Sequence, residues 1–291
     1  MTEALRTLSS MSIVVFAVSS MLAAGFSFTF RDIVAPLREP DRVARALLGN
    51  FVLVPLLALG IVNVFSLEPA VALGFILLGT AAGAPFLIKL VAIANADLAL
   101  GTALLVLLVP MTVVFMPIAV PLLAPDIAVN ARAIALPLAF TLLLPLVMGL
   151  RVTETAATWA RRLQPLARTV STIALVLLLV STLLVNLRDL GAILASRAAF
   201  AILLFVVGTF VIGYAIASPH AERRVVLGLG TAQRNIAAAT VIAAEGFRGP
   251  DTLVLVVVAS MMELFLLIPL ARWLRGWMST VDSNLATGAR A

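Results

Sequence analysis

Residues 228–235 read Gly228-Leu229-Gly230-Thr231-Ala232-Gln233-Arg234-Asn235 and lie inside an apolar segment near the C-terminus. This stretch places two glycines, a hydroxyl, two amides and an arginine where hydrocarbon would surround a membrane-spanning helix. A similar stretch, Gly79-Thr80-Ala81-Ala82-Gly83-Ala84-Pro85, interrupts an apolar segment of the first half and is followed by Lys89. Irregular backbone at membrane depth is tolerated only where it is buried in protein or lines a cavity. The two stretches therefore predict two interrupted helices around which the chain is organised.

The composition is typical of an all-α polytopic membrane protein. The 291-residue chain is 63% hydrophobic and 12% charged, whereas a soluble domain carries about 25% charged residues. The absence of cysteine excludes disulfides, thiol catalysis and thiolate metal sites. The formal charge of +6 predicts control of membrane topology and no nucleic-acid partner, because the arginines lie between the apolar segments. We predict a single membrane domain over residues 1–291 in a lipid bilayer.

Hydropathy predicts nine transmembrane helices, each long enough to cross about 30 Å of hydrocarbon. The spans cover 10–29, 46–66, 69–95, 98–124, 133–150, 169–186, 199–218, 226–245 and 252–271, and a cytoplasmic tail covers 272–291. Prolines in the fourth and fifth spans are expected to kink those helices. The first span is predicted to be a retained helix rather than a cleaved signal.

The placement of the arginines predicts the orientation of the chain. Thirteen lie on one side and five on the other, so the C-terminus is predicted to be cytoplasmic and the N-terminus external. The first set is Arg31, Arg38, Arg42, Arg45, Arg151, Arg161, Arg162, Arg168, Arg223, Arg224, Arg272, Arg275 and Arg290. The second set is Arg6, Arg132, Arg188, Arg197 and Arg248.

The third and eighth spans are five apart, so they cross the membrane in opposite directions. Inverted repeats with two crossing broken helices, typical of secondary transporters, produce this spacing. Residues 10–124 would form a first, incomplete repeat of four helices, and residues 133–271 a second repeat of five helices. The alternative is that the small residues only allow helices to pack closely.

Four motifs resemble those of the bile acid:sodium symporter family, and a gapless match can be followed from Pro69 to Pro117. The motifs are Gly74-Phe75-Ile76-Leu77-Leu78-Gly79, Asn50-Phe51-Val52-Leu53-Val54-Pro55, Ala232-Gln233-Arg234-Asn235 and Gly25-Phe26-Ser27. The resemblance implies a ten-helix plan of core and panel domains, here without the optional first helix. It also implies a bacterial member of the family in the inner (plasma) membrane that transports a small organic anion.

The chain departs from the family at the main sodium site. The positions where the family has a Ser-Asn pair, two hydroxyls and a glutamate carry no side-chain oxygen in this sequence. They correspond to Leu87 and Ile88, to Gly101 and Leu105, and to Leu229 or Gly230. A second sodium site is retained in part through Asn50 and Gln233. We therefore expect H⁺ coupling or facilitated diffusion in place of the main sodium site, with Na⁺ coupling through the partial second site as the alternative.

Lys89 is the only lysine of the chain and lies beside the lost Ser-Asn position. A charged side chain at the bilayer centre costs about 2.5–3.5 kcal/mol, so we infer that it has a function. Its ammonium is predicted to occupy the space that sodium takes in the family, as a fixed charge or as a titrating group. The alternative is that the side chain reaches toward an aqueous face.

Arg234 stays charged, and its planar fork suits a carboxylate, sulfonate or phosphate. We predict that Arg234, Asn235, Thr231 and the backbone of Pro85 and Phe86 bind an organic anion at mid-membrane, where half-helix N-termini add partial positive charge. The alternative is a structural bridge from Arg234 to an acidic side chain.

Two carboxylates are candidates for charge pairing with Lys89. Glu263 lies in the last span and could balance Lys89 or Arg234, with structural pairing as the favoured role. Asp97 follows the first interrupted segment, and capping of the next helix is its favoured role.

Other function classes have weaker support. The chain lacks H-E-x-x-H, G-x-S-x-G, paired aspartates and a cysteine nucleophile, so we predict that it is not an enzyme. A lone intramembrane lysine also occurs in retinal photoreceptors, which need a counter-ion and an aromatic pocket, and aromatic residues are 7% of this chain. A channel is an open alternative, because broken helices also line pores. The substrate and the oligomeric state are not determined by the sequence.

Overall fold

The protein is described from a computed structural model that covers residues 2–29, 31–32, 39–125, 131–186, 196–217, 220–245 and 250–288. The regular structure in these ranges is helical. Eight helices among the described residues are long and apolar enough to cross a membrane. The third predicted span is not one of them, because a break divides it and leaves Pro69–Thr80 as a shorter apolar helix. The protein is an all-α polytopic membrane protein.

The first half of the chain contains helices α1 to α6 and one π-helical turn. Helix α1 is Thr2–Gly25, and α2 (Pro40–Leu48) passes through the π-helical turn Gly49–Leu53 into α3 (Val54–Val64). Then come α4 (Pro69–Thr80), α5 (Leu87–Ala94) and α6 (Leu98–Leu123).

The second half contains helices α7 to α13 and a second π-helical turn. Helix α7 (Ala131–Leu138), the turn Ala139–Leu143 and α8 (Leu144–Thr155) follow one another directly. The remaining helices are α9 (Ala157–Val185), α10 (Arg197–Ile216), α11 (Ala221–Ala232), α12 (Ile236–Ala244) and α13 (Pro250–Gly288).

The two predicted interruptions are confirmed. Helices α4 and α5 are separated by residues 81–86, and α11 and α12 are separated by residues 233–235. In each pair the first half-helix has 12 residues, and the second has 8 in α5 and 9 in α12. These matched lengths agree with two related repeats, and the inverted repeat itself stays a prediction.

The helices pack in two groups, with the interrupted helices in the larger one. Helices α1, α8 and α9 pack on one another. Helix α13 packs against α4, α5, α11 and α12, while α10 packs against α11 and α3. The half-helices α11 and α12 are mostly buried, with 94% of an 18-residue apolar stretch within Ala221–Ala244 inside the structure. The interrupted helices are therefore shielded on most sides by other helices.

Two helices extend beyond the predicted membrane spans, because charge ends an apolar segment without ending a helix. Helix α9 begins at Ala157 rather than at 169, and its first turns carry Arg161 and Arg162. Helix α13 continues to Gly288, through most of the region that hydropathy assigned to a tail. Arginine is a good helix former, so these turns keep their backbone hydrogen bonds beyond the apolar stretch. Of the arginines used for the orientation, Arg38, Arg188, Arg248 and Arg290 lie outside the described residues.

We predict that Gly83→Ala destabilises the protein by about 2 kcal/mol or more. Gly83 has φ +77°, and a Cβ added there would lie 2.8 Å from the Leu108 Cβ and 2.8 Å from the Val109 backbone nitrogen in α6. The measurement is thermal unfolding of the purified protein in detergent.

Gly60→Ala is the matched control for this experiment. Gly60 lies inside α3, and a Cβ added there meets no atom within 4 Å. Alanine in a helix interior is favoured over glycine by roughly 0.5–1 kcal/mol, so Gly60→Ala should keep or raise the unfolding temperature. Equal unfolding temperatures for the two variants would show that the first break does not need its glycine.

Candidate functional site

The two interruptions meet through Asn235. Its backbone N–H donates to the Ala81 carbonyl at 2.9 Å, and its side-chain Nδ2 donates to the Gly83 carbonyl at 2.9 Å. Its Oδ1 accepts from the Ala238 N–H at 3.1 Å and so caps α12. One fully buried asparagine therefore caps its own half-helix and fastens it to the break in the other.

The guanidinium of Arg234 lies between the carbonyl ends of the two first half-helices. Nε donates to the Leu78 carbonyl at 2.8 Å and Nη2 to the Gly79 carbonyl at 2.9 Å, both at the end of α4. Nη1 donates to the Thr231 carbonyl at 3.0 Å, at the end of α11. The last carbonyls of a helix have no intrahelical donor, so Arg234, which is 0% exposed, supplies donors to both ends.

Asn50 completes the surroundings of the guanidinium from the π-helical turn Gly49–Leu53. Its Oδ1 accepts from Arg234 Nη1 at 2.9 Å, and its Nδ2 donates to the Ala46 carbonyl at 3.1 Å and to the Thr231 hydroxyl at 3.2 Å. Single π-helical turns inside α-helices are frequent at functional sites. Asn50, Thr231 and Arg234 thus form one buried polar cluster.

Glu263 of α13 is the acidic residue of this cluster. Its side chain is 2% exposed, and Oε1 accepts from the backbone N–H of Arg234 at 2.9 Å. This bond uses the backbone N–H of Arg234 and not the guanidinium fork, so it differs from the side-chain bridge that was the alternative role of Arg234. The fork remains available to the carbonyl groups.

Thr112 of α6 holds the first break, and the sequence analysis did not identify it. Its hydroxyl donates to the Ala82 carbonyl at 2.8 Å and accepts from the Ala82 N–H at 2.9 Å. Both backbone groups of one irregular residue are therefore satisfied by one buried side chain. The available signal in the sequence was the hydroxyl of Thr112, one of two in the apolar α6.

A cavity of about 510 Å³ adjoins the crossover, between α1 and α9 on one side and α5 and α12 on the other. Its apolar lining includes aromatic rings and aliphatic side chains, and its polar lining consists of hydroxyls, amides and two charged side chains. The residues are Phe16, Ser20, Ser27, Phe28, Pro85, Phe86, Ile88, Lys89, Thr102, Leu105, Gln164, Arg168, Ser171, Thr172, Leu175, Gln233, Asn235, Ile236 and Leu264, with several alanines and Leu98. Sequence analysis did not identify the α9 side chains among them.

The charged residues of this lining are Lys89 and Arg168, and the described lining contains no acidic residue. Both side chains are exposed. The Lys89 Nζ lies 5.4 Å from the centroid of the Phe86 ring, a distance at which a cation is attracted to the ring face. The cavity is therefore electropositive.

Gln233 marks the buried end of the cavity. It is 0% exposed, and neither its Oε1 nor its Nε2 has a hydrogen-bond partner among the described residues. A buried amide without a partner costs about 1–3 kcal/mol. The site thus retains one donor and one acceptor that a bound molecule can satisfy.

The predicted site residues fall into two neighbouring places. Thr231, Arg234, Asn50 and Glu263 belong to the buried cluster, whereas Pro85, Phe86, Lys89 and Gln233 line the cavity, and Asn235 contributes to both. Direct contact between Arg234 or Thr231 and an anion stays a prediction, as does a sodium role for Asn50 and Gln233. In the described conformation Asn50 faces the guanidinium, while Gln233 faces the cavity.

The predicted charge pairing of Lys89 with Glu263 or Asp97 does not occur in this conformation. Arg42–Glu39 and Arg45–Asp41 are ion pairs of the described side chains, and Lys89 forms none with a described residue. Asp97 caps α6, where Oδ1 accepts from the N–H groups of Ala99 and Leu100 at 2.9 and 3.0 Å. The Asp97 carboxylate is held by its own helix, and Lys89 stands over Phe86, so the favoured capping role is confirmed.

The comparisons with known proteins gave one family. The sequence model of the Sodium Bile acid symporter family matches residues 13–197. This range contains the first interruption and the α1 and α9 sides of the cavity, and it ends before the second interruption. The search of curated proteins found no match.

We predict that Thr112→Val lowers the free energy of unfolding by about 2 kcal/mol, because both backbone groups of Ala82 lose their buried partner. Thr169→Val is the matched control, since the Thr169 hydroxyl is exposed and bonds only the Pro165 carbonyl of its own helix at 3.0 Å. Unfolding temperatures in detergent measure both. A Thr112→Val protein as stable as Thr169→Val would contradict the role assigned to this hydroxyl.

Proposed function

The chain belongs to the Sodium Bile acid symporter family, and on this premise we propose that it is a secondary carrier that moves a small organic anion across a membrane by alternating access. The cavity beside the crossover is the proposed substrate site. The observation that carries the proposal is its charge: two cationic side chains and, in the described lining, no carboxylate.

The charge of the cavity favours anions over cations and neutral molecules. Lys89 and Arg168 lie on opposite sides of the cavity, on α5 and α9. A substrate carboxylate or sulfonate between them gains charge-assisted hydrogen bonds, worth about 1.5–3 kcal/mol each. A cationic substrate would be repelled by both side chains.

The remaining lining favours an amphipathic anion. Phe16, Phe28, Leu105, Leu175 and Leu264 offer apolar surface, and a volume of about 510 Å³ is within the ordinary range of roughly 300–1,000 Å³ for ligand pockets. Gln233, at the buried end, offers a donor and an acceptor to a second polar group of the substrate. We propose an anion with an apolar body and a hydroxyl, oxo or amide group at the opposite end.

The proposed cycle exposes this cavity to the two sides of the membrane in turn. With the orientation that the arginines predict, the exposed Lys89 and Arg168 face the cytoplasm, so the described conformation is the inward-open one. Because the main sodium site of the family lacks its side-chain oxygens here, we propose coupling to H⁺ or facilitated diffusion.

Flux measurements in proteoliposomes test the function. Cholate, pyruvate and a steroid sulfate are offered under imposed sodium and proton gradients, and under neither gradient. Saturable uptake with counterflow of at least one anion supports a carrier, whereas flux that does not saturate and shows no counterflow would indicate a channel. Stimulation by sodium alone would reject the proposed coupling.

We predict that Lys89→Gln and Arg168→Gln each raise the KM for the transported anion about tenfold or more, because each removes one charge-assisted contact. Lys89→Arg should keep most of the activity, since it keeps the charge. Arg161→Gln is the matched control, because Arg161 lies on the same helix as Arg168 and is exposed but does not line the cavity. An unchanged KM in the double variant Lys89→Gln/Arg168→Gln would rule out this cavity as the anion site.

A further inference from the structure

The carbonyl ends of two helices converge on one point in the crossover. Each helix end carries a partial negative charge of about half an elementary charge, and α4 and α11 both end at the guanidinium of Arg234. The four acceptors around it are the Leu78, Gly79 and Thr231 carbonyls and Asn50 Oδ1, at 2.8–3.0 Å. Such a set of neutral oxygens attracts a monovalent cation.

We propose that the guanidinium of Arg234 is a tethered cation, which permanently fills a monovalent-cation position that these four oxygens create at the crossover. Resting on the proposed carrier function, this means that the crossover keeps its positive charge through the whole transport cycle. No free ion has to bind before the two interrupted helices can meet, and none can leave afterwards.

The surroundings distinguish this role from that of a substrate-binding arginine. Four N–H···O bonds already use the guanidinium, which has five N–H donors in all, and every acceptor belongs to the protein. The side chain is 0% exposed and is not among the residues that line the cavity. The neighbouring Gln233 and Asn235 do line it, so the chain turns only this side chain away from the proposed substrate.

Glu263 adjoins the cluster without taking any donor from the fork. Its carboxylate holds the backbone N–H of Arg234 at 2.9 Å and thus positions the start of the side chain. A buried cation is tolerated where it is paired and fully hydrogen-bonded. Four of the five N–H groups of the guanidinium have acceptors, and the residues Arg234, Asn50, Thr231 and Glu263 come from three different parts of the chain.

Chemical rescue tests the proposal. Arg234→Ala leaves the four oxygens and removes the cation, so its unfolding temperature should fall and should rise again when millimolar guanidinium chloride replaces N-methylglucamine chloride. Sodium chloride should give a smaller, saturable rise. Adding Asn50→Leu to Arg234→Ala removes the side-chain acceptor and should weaken the rescue by guanidinium.

Arg45→Ala is the matched control for the rescue. Arg45 also donates from Nη1 to a helix-end carbonyl, that of Ile216 at 3.1 Å, but its side chain is 42% exposed, so water can fill the space that it leaves. Guanidinium should not raise the unfolding temperature of Arg45→Ala. Equal responses of the two alanine variants, or no response of Arg234→Ala, would overturn the proposal.

If the alanine variant does not fold, Arg234→Lys and Arg234→Gln test the tethered cation instead. Lysine keeps the charge at a similar length, whereas glutamine keeps only hydrogen bonding, so the lysine variant should be the more stable of the two. A glutamine variant as stable as the lysine variant would overturn the proposal. The wild-type protein should have the same unfolding temperature in sodium chloride and in N-methylglucamine chloride, and a saturable stabilisation by sodium would also overturn it.

These measurements separate the tethered cation from the transport proposal. Unfolding temperatures in detergent report on the crossover and require no substrate. If the rescue succeeds and the Lys89 and Arg168 variants transport normally, the cavity assignment fails and the tethered cation stands. If the rescue fails while those variants lose transport, the reverse holds.

Discussion

Unwound backbone in the middle of a membrane protein must find a hydrogen-bond partner for each peptide group, because hydrocarbon offers none. This constraint explains the polar residues at the crossover. The first interruption is satisfied mainly from outside its own helix, by one arginine, one asparagine and one threonine. The partners are Arg234 for the Leu78 and Gly79 carbonyls, Asn235 for those of Ala81 and Gly83, Thr112 for Ala82, and the Leu87 N–H for Ala84.

This pattern makes the two interruptions mutually dependent. Arg234 and Asn235 belong to the second break but bond mainly to the first, so neither break is satisfied in isolation. The two interrupted helices therefore form one unit, because separating them would leave several buried carbonyls without donors. The cost of about 1–3 kcal/mol for each such group is large beside the net stability of a protein.

The sequence predicted the parts of this arrangement that follow from polarity alone. Both interruptions, the α-helical membrane fold and the capping role of Asp97 could be read from residues whose polarity conflicts with their surroundings. The direction in which a side chain points could not be read in this way. Arg234 looked like a ligand for an anion because its charge was visible in the sequence, whereas three of its four acceptors are backbone carbonyls at positions 78, 79 and 231, which any residue carries.

The same limit applies to the cavity and to the ends of the helices. Arg168 was assigned to topology, since the sequence does not show that α9 begins at Ala157 and brings this side chain opposite Lys89. Thr112 was overlooked because a hydroxyl in an apolar helix is common. Its role follows only from the position of Ala82, whose backbone N–H and carbonyl it bonds. Both roles depend on contacts between residues that are far apart in the sequence.

The three consecutive residues Gln233, Arg234 and Asn235 connect the buried polar cluster with the cavity. Gln233 points into the cavity, Arg234 fills the carbonyl cluster, and Asn235 holds the first break while lining the cavity. A substrate that bonds to the Gln233 amide therefore acts within one peptide bond of the structural cluster.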